Sequence, residues 1–172
     1  MILQVINVPS FYPSFISHPQ KYTISPSTKS LIHRLSEVGH LYTRIAAFVR
    51  TQDRPIVGMI EQSLCHHLHA LLTEYYRLIA VLESQMGNPL TASQPDLVAE
   101  ETGLTLKRLD VWITEWRLRM RMMSVCVEGA HDAQGGALVN LIHSYTDNGD
   151  PFVRQFTDQL LEEVNTSLFL VL

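Results

Sequence analysis

Residues 104–127 read LTLKRLDVWITEWRLRMRMMSVCV. Leu109, Trp112, Ile113, Trp116 and Met120 recur three and four positions apart, which puts them on one face of a helix. No alternation of period two persists, so a strand reading fails. The stretch predicts a helix from about Leu104 to Val127, with Gly129 marking its end and Gly135-Gly136 the next turn.

The same periodicity holds on both sides. Upstream, Ser27 or Thr28 is placed to open a helix whose stripe is Leu31, Leu35, Val38, Tyr42, Ile45 and Val49. Asp53-Arg54-Pro55 reads as a restart, because proline is tolerated in a first helical turn. The second helix then carries Val57, Ile60, Leu64, Leu68, Leu71, Tyr75, Leu78 and Leu82 until Gly87-Asn88-Pro89 stops it. A TASQP loop follows. Downstream, a shorter helix holds Leu138, Leu141, Ile142 and Tyr145. Asp150 is a natural N-cap and Pro151 a natural first residue for a last helix lined by Phe152, Phe156, Leu160 and Val164. Pro9, Pro13, Pro19 and Pro26 break any long helix before residue 27, although Phe11, Tyr12, Phe15 and Ile16 mark a segment that drapes over a core. The expected fold is all-α, a bundle of about five helices. Residues 1–26 form an irregular segment, 27–165 the helical domain and 166–172 an apolar tail.

Length and composition agree with that reading. A chain of 172 residues, 46% hydrophobic and 17% charged, can bury one sizeable core and is too apolar for disorder throughout. A net charge of −4 argues against nucleic-acid binding, which calls for a basic field. Cys65 and Cys126 cannot make a disulfide framework and fit a reducing compartment. The start lacks the basic and continuously apolar regions of a secretory signal, and no apolar run reaches the ~18 residues of a membrane span.

Chemistry-bearing motifs are few. In CHHLH, Cys65 to His69, pairs at i, i+3 and i, i+4 could face one metal. Zinc needs at least three protein ligands, and the rest would have to come from His33, His40 or Cys126. A buried thiol with solvent-facing histidines is the plainer reading. Cys126 and His131 are near in sequence but nothing recognisable surrounds them, Gly135-Gly136 is not a phosphate loop because no GxxxxGKS/T follows a strand, and TDNGD lacks the alternating acidic ligands and terminal glutamate of a calcium loop. The NTS triplet at Asn165 has the glycosylation pattern, which an intracellular chain would not use. No catalytic residue, metal or cofactor is expected.

The third helix is basic within an acidic chain, through Lys107, Arg108, Arg117, Arg119 and Arg121. Arg117 and Arg121 share a face while Arg119 points elsewhere, so the set is either a solvated surface or a docking patch. Trp112 and Trp116 fit the core, and tryptophan is also an interface anchor when exposed. Tyr75 belongs to the apolar stripe, leaving Glu74, Tyr76 and Arg77 to fasten a neighbour. The candidate interface residues are therefore Tyr76, Arg77, Lys107, Arg108, Arg117 and Arg121.

Several blocks recur in a known order. They are S-L-C-x-x-L-H and E-Y-Y-R-L-x-x-V-L-E-x-Q within Ser63 to Gln85, L-T-L-K-R-L-x-V-W at Leu104 to Trp112, and G-G-x-L with I-H-x-Y-T-x-x-G-D-P from Gly135 to Pro151. With RLSEVGHLYTRIAAFVR at Arg34 to Arg50, this order resembles the gamma-tubulin complex component family, of its third-component type. The resemblance covers most of residues 27–165 and includes Cys65 and His69, in a family not known for a metal there. It implies the N-terminal grip region, a helical bundle that makes side-by-side contacts between complex subunits in microtubule nucleation. The implied partners are other gamma-tubulin complex components, with gamma-tubulin itself reached only indirectly. The implied place is the cytoplasm, at a microtubule-organising centre or spindle pole.

After Val164 the chain departs from the family's pattern and reads as a truncated product ending in NTSLFLVL, whose apolar residues favour self-association. The alternative is a generic helical adaptor with an unnamed partner.

Overall fold

A computed structural model of the chain describes residues 24–52, 58–87 and 104–169. They form five helices and no strand: α1 (Pro26–Gln52), α2 (Met59–Gly87), α3 (Leu106–Asp132), α4 (Gly136–Ser144) and α5 (Pro151–Phe169). Expectations for residues 1–23, for Asp53-Arg54-Pro55 and Val57, for Asn88-Pro89 and TASQP, and for residues 170–172 lie outside the described residues.

Helix starts follow local capping chemistry. α1 begins at Pro26, earlier than the expected Ser27 or Thr28, because the Ser25 hydroxyl accepts from the Thr28 amide at 3.2 Å and proline suits a first helical position. The Thr105 hydroxyl accepts from the Arg108 amide and sets the start of α3. Asp150 accepts from the Phe152 amide at 2.9 Å, so α5 starts at Pro151 as expected. α5 runs on through Phe169, into the residues read from sequence as a tail.

The third helix is longer than expected. It passes through Gly129 and ends at Asp132. Gly129 is there for clearance: a Cβ at that position would come within 2.4 Å of the Leu141 Cδ2 of α4. Absence of a side chain lets the two helices approach, which a reading of glycine as a stop signal misses. The conformational need for glycine falls at Gly135, whose φ of +57° turns the chain from α3 into α4.

α1 lies between α2 and α3. Tyr42 of α1 meets Tyr76 of α2, while Arg50 and His69 line the same groove, so α1 and α2 run antiparallel. Glu37 pairs with Arg121 and Arg44 with Glu128, so α1 and α3 run side by side in the same direction. α5 packs chiefly on α2, and the short α4 bridges α3 and α5 near one end.

The core follows the expected stripes, with differences of detail. Leu35, Val38, Ile45, Leu64, Leu68, Tyr75, Leu82, Ile113, Met120, Leu138, Leu160 and Val164 are all buried. On α2 the buried line also takes in Leu72 and Ile79, leaving Leu71 and Leu78 half-buried. Trp112 is not core: it is 44% exposed, because the side of α3 it occupies is roofed only farther along the helix.

One buried acid ties the far ends together. Glu61, in the first turn of α2, is buried, and its Oε1 accepts from the backbone amide of Gly135 at 2.6 Å. A carboxylate at the residue that opens α4 satisfies an otherwise orphaned amide and sits favourably at the positive end of the helix dipole.

Candidate functional site

The six candidate interface residues fall into three environments. Arg117 and Arg121 face α1. Arg117 Nη1 donates to Asp110 Oδ1 at 3.0 Å, with both side chains mostly buried, and Arg34 of α1 reaches Asp110 Oδ2 at 3.3 Å. Arg121 grips Glu37 of α1 with two parallel bonds, Nε to Oε1 at 2.6 Å and Nη2 to Oε2 at 2.8 Å. Hydrogen bonding to Arg121 holds the Glu37 carboxyl below the usual carboxylate range against the opposing effect of burial, and the same bond raises the Arg121 guanidinium. These two arginines thus brace the α1–α3 seam.

Tyr76 and Arg77 are both exposed on α2, but their roles separate. The Tyr76 ring stands edge-on to Tyr42 of α1, with centroids 5.1 Å apart. Tyr42 also lies 5.9 Å from Tyr75, which in turn meets Trp116 of α3 at 5.7 Å, so an aromatic cluster joins three helices at mid-height. Burial, and then the bond to Tyr76, raise the Tyr42 phenol far above its ordinary value. Burial does the same to Tyr75, whose hydroxyl is enclosed with no hydrogen-bond partner among the described residues. Below the tyrosines a groove of about 410 Å³ is lined by Arg50, His69, Thr73 and Tyr76, among others. The Arg50 Nε donates to the Ala46 carbonyl at 3.1 Å, and the groove lies along the packing of α1 on α2.

Lys107 and Arg108 are the third environment. Both are exposed in the first turn of α3 and make no ion pair among the described residues. Arg119, the remaining basic residue of the helix, donates to Glu115 at 2.7 Å and lies over the Trp116 ring. The structure therefore splits the basic set: three arginines are paired with carboxylates within the domain, and two cations at one end have no carboxylate partner among the described residues.

Among the described residues no three histidine, cysteine or acidic side chains converge in a way that could hold a metal ion. Cys65 is buried whereas His66 and His69 are exposed, so CHHLH presents its groups in different directions. Burial pushes the Cys126 thiol up to about 12, far from the reactive thiolate range. Sequence reasoning missed two features. Buried Glu61 was signalled by the G-x-x-E spacing of Gly58 to Glu61, and the exposed shelf beside Lys107 was signalled by cations in a first helical turn, where acids are favoured.

A family model described as "Gamma tubulin complex component N-terminal" matches residues 6–172. Among curated proteins, the chain is 36% identical over 143 residues to "Gamma-tubulin complex component 3 homolog" of Xenopus laevis, covering 82% of this chain and 16% of that protein. It is 36% identical over 147 residues to "Gamma-tubulin complex component 3" of Homo sapiens, covering 84% and 16%. It is 35% identical over 172 residues to the Arabidopsis thaliana protein of the same name, covering 92% and 20%. The chain thus spans at most a fifth of the length of these relatives.

Proposed function

The chain belongs to the gamma-tubulin complex component family, and on that premise we propose that it is a structural component of the gamma-tubulin complex, acting through helix-to-helix contacts with neighbouring subunits. The observation that carries the reading is the match over residues 6–172, a range that takes in all five helices α1 to α5. Its work is to hold subunits side by side as part of a template for microtubule nucleation, at a spindle pole or other microtubule-organising centre. Relatives in Dictyostelium discoideum and Schizosaccharomyces pombe are named as spindle pole body components, which supports that location. The partners are other complex components, with gamma-tubulin reached only through them. The role is scaffolding and not catalysis, and no nucleic acid or membrane takes part. No helix among the described residues is long and apolar enough to cross a membrane. Of the six interface candidates, Tyr76, Arg77, Lys107, Arg108 and Arg121 are exposed, Arg121 while paired with Glu37, and Arg117 is mostly buried in the seam.

The test is capture of complex components by the tagged 172-residue chain from extract of its own cells, with gamma-tubulin and each component quantified by mass spectrometry. Recovery of components, with gamma-tubulin at or below their level, is the expected result. A folded, helical chain that recovers none of them would overturn the reading.

A further inference from the structure

The side of α3 that carries Arg108 and Trp112 changes character along its length. Toward the C-terminal end it is closed over: Cys126 and Ala130 are buried, and Gly129 between them lies against Leu141 of α4. Toward the N-terminal end no other element among the described residues roofs it, and Leu106 is 44% exposed, Val111 71% and Trp112 44%. Arg108, Val111, Trp112 and Glu115 follow i, i+3, i+4, i+7 spacing, so the apolar pair and the cation share one shelf. Exposed aromatic and aliphatic groups beside an arginine are the composition of an interface anchor, not of ordinary surface.

The electrostatics of the shelf specify what is missing. Arg117, Arg119 and Arg121 are met by Asp110, Glu115 and Glu37, whereas Lys107 and Arg108 have no carboxylate partner among the described residues. They stand in the first turn of α3, where the peptide dipoles already place positive charge and which holds no acidic residue of its own. Two cations beside a helix N-terminus favour an anionic partner.

We propose that this end of α3 seats an acidic amphipathic helix of a neighbouring complex subunit, its carboxylates against Lys107 and Arg108 and its apolar stripe across Val111 and Trp112. The proposal rests on the scaffold reading above and adds to it the face used and the chemistry of the occupant. A second copy of this chain fits less well: α5 exposes Asp158 and Glu162, but they stand among Arg154, Gln155 and Gln159, without an apolar stripe to cover the tryptophan.

The experiment compares the wild-type chain with Lys107→Glu/Arg108→Glu, with the conservative Lys107→Arg/Arg108→Lys, and with Trp112→Ala, in the same capture of complex components. Circular dichroism and thermal melting are run on each protein. Charge reversal is expected to lower component recovery about ten-fold or more, and Trp112→Ala several-fold, with melting unchanged. The conservative pair keeps recovery within about two-fold of wild type, and raising salt from about 50 to about 300 mM weakens wild-type capture. Undiminished recovery by the folded charge-reversed chain overturns the docking face while leaving the scaffold role intact. Failure of the wild type to recover any component removes both. If sedimentation instead shows a wild-type dimer that charge reversal dissolves, with component recovery unchanged, the occupant is a second copy and the stated partner is wrong.

Discussion

The two halves of α3 are built on one periodicity and have opposite fates. From Met120 to Ala130 most of its apolar residues are enclosed, with Met120, Met123, Cys126, Val127 and Ala130 buried and Met122 and Val125 half-buried. From Leu106 to Trp112 only Leu109 is enclosed, while Leu106, Val111 and Trp112 stand in solvent. The difference lies in the neighbour. α4 covers the side that carries Trp112 at one end of the helix, and nothing among the described residues covers that side at the other. Periodicity reports which residues share a side, and burial is decided by whether another element reaches that side.

That contrast can be broken first with truncations of matched kind. Met120→Ala is expected to cost about 3 kcal/mol in chemical denaturation, the usual scale for emptying an enclosed site. Val111→Ala is expected to change stability by less than about 0.5 kcal/mol. Equal losses at the two sites would mean that the N-terminal half is covered after all. Next in size is the seam beneath the exposed half. Asp110→Ala leaves Arg117, whose side chain is only 14% exposed, without its carboxylate, at an expected cost of about 2 kcal/mol. Stability unchanged by that substitution would show that water replaces the aspartate freely.

Where the halves meet, Tyr75 packs on Trp116 with its hydroxyl enclosed and unbonded. Tyr75→Phe removes a desolvated group that gains nothing in return, so stability should rise by about 1 kcal/mol. A loss would show that the hydroxyl has a partner. A smaller effect belongs to Glu37 and Arg121, partly exposed residues whose pair contributes about 0.5 kcal/mol. The Glu37 carboxyl is lowered in the folded state, so its contribution is present above its ordinary value of 4.5 and is lost as pH falls through the folded value. Stability profiles of wild type and Glu37→Gln should therefore differ at neutral pH and converge in acid. Parallel profiles would remove the linkage.

Much of this was legible in the residues. Helix number, the stripes through Leu35, Leu64, Ile113 and Leu160, and the Asp150-Pro151 start all follow from local spacing and capping. Trp112 was misplaced in the core because its spacing is that of a core residue and only the reach of α4 leaves it outside. Gly129 was taken for a helix end because the Leu141 side chain that requires it is distant in sequence. The sharing of one face by Arg117 and Arg121 was legible, but not that the face meets α1: their carboxylates include Glu37, 84 residues from Arg121. Lys107 and Arg108 stayed within reach of sequence because their conflict with the helix terminus is local.

The α1–α3 seam also has a mechanical consequence. Glu37 with Arg121 and Arg44 with Glu128 are both 84 residues apart, on helices that run in the same direction. Sliding one helix past the other by a single turn breaks both pairs at once, so they work together as a detent against shear. Peeling α4 away from α3 meets no such pair of ion pairs among the described residues and opens the close approach at Gly129 one contact at a time. A pull along the α3 axis should meet a stiffer, more abrupt resistance than a pull that lifts α4. In optical-tweezer measurements the axial geometry should lose that stiffness when Glu37 and Glu128 are both replaced by glutamine, and the lifting geometry should not change.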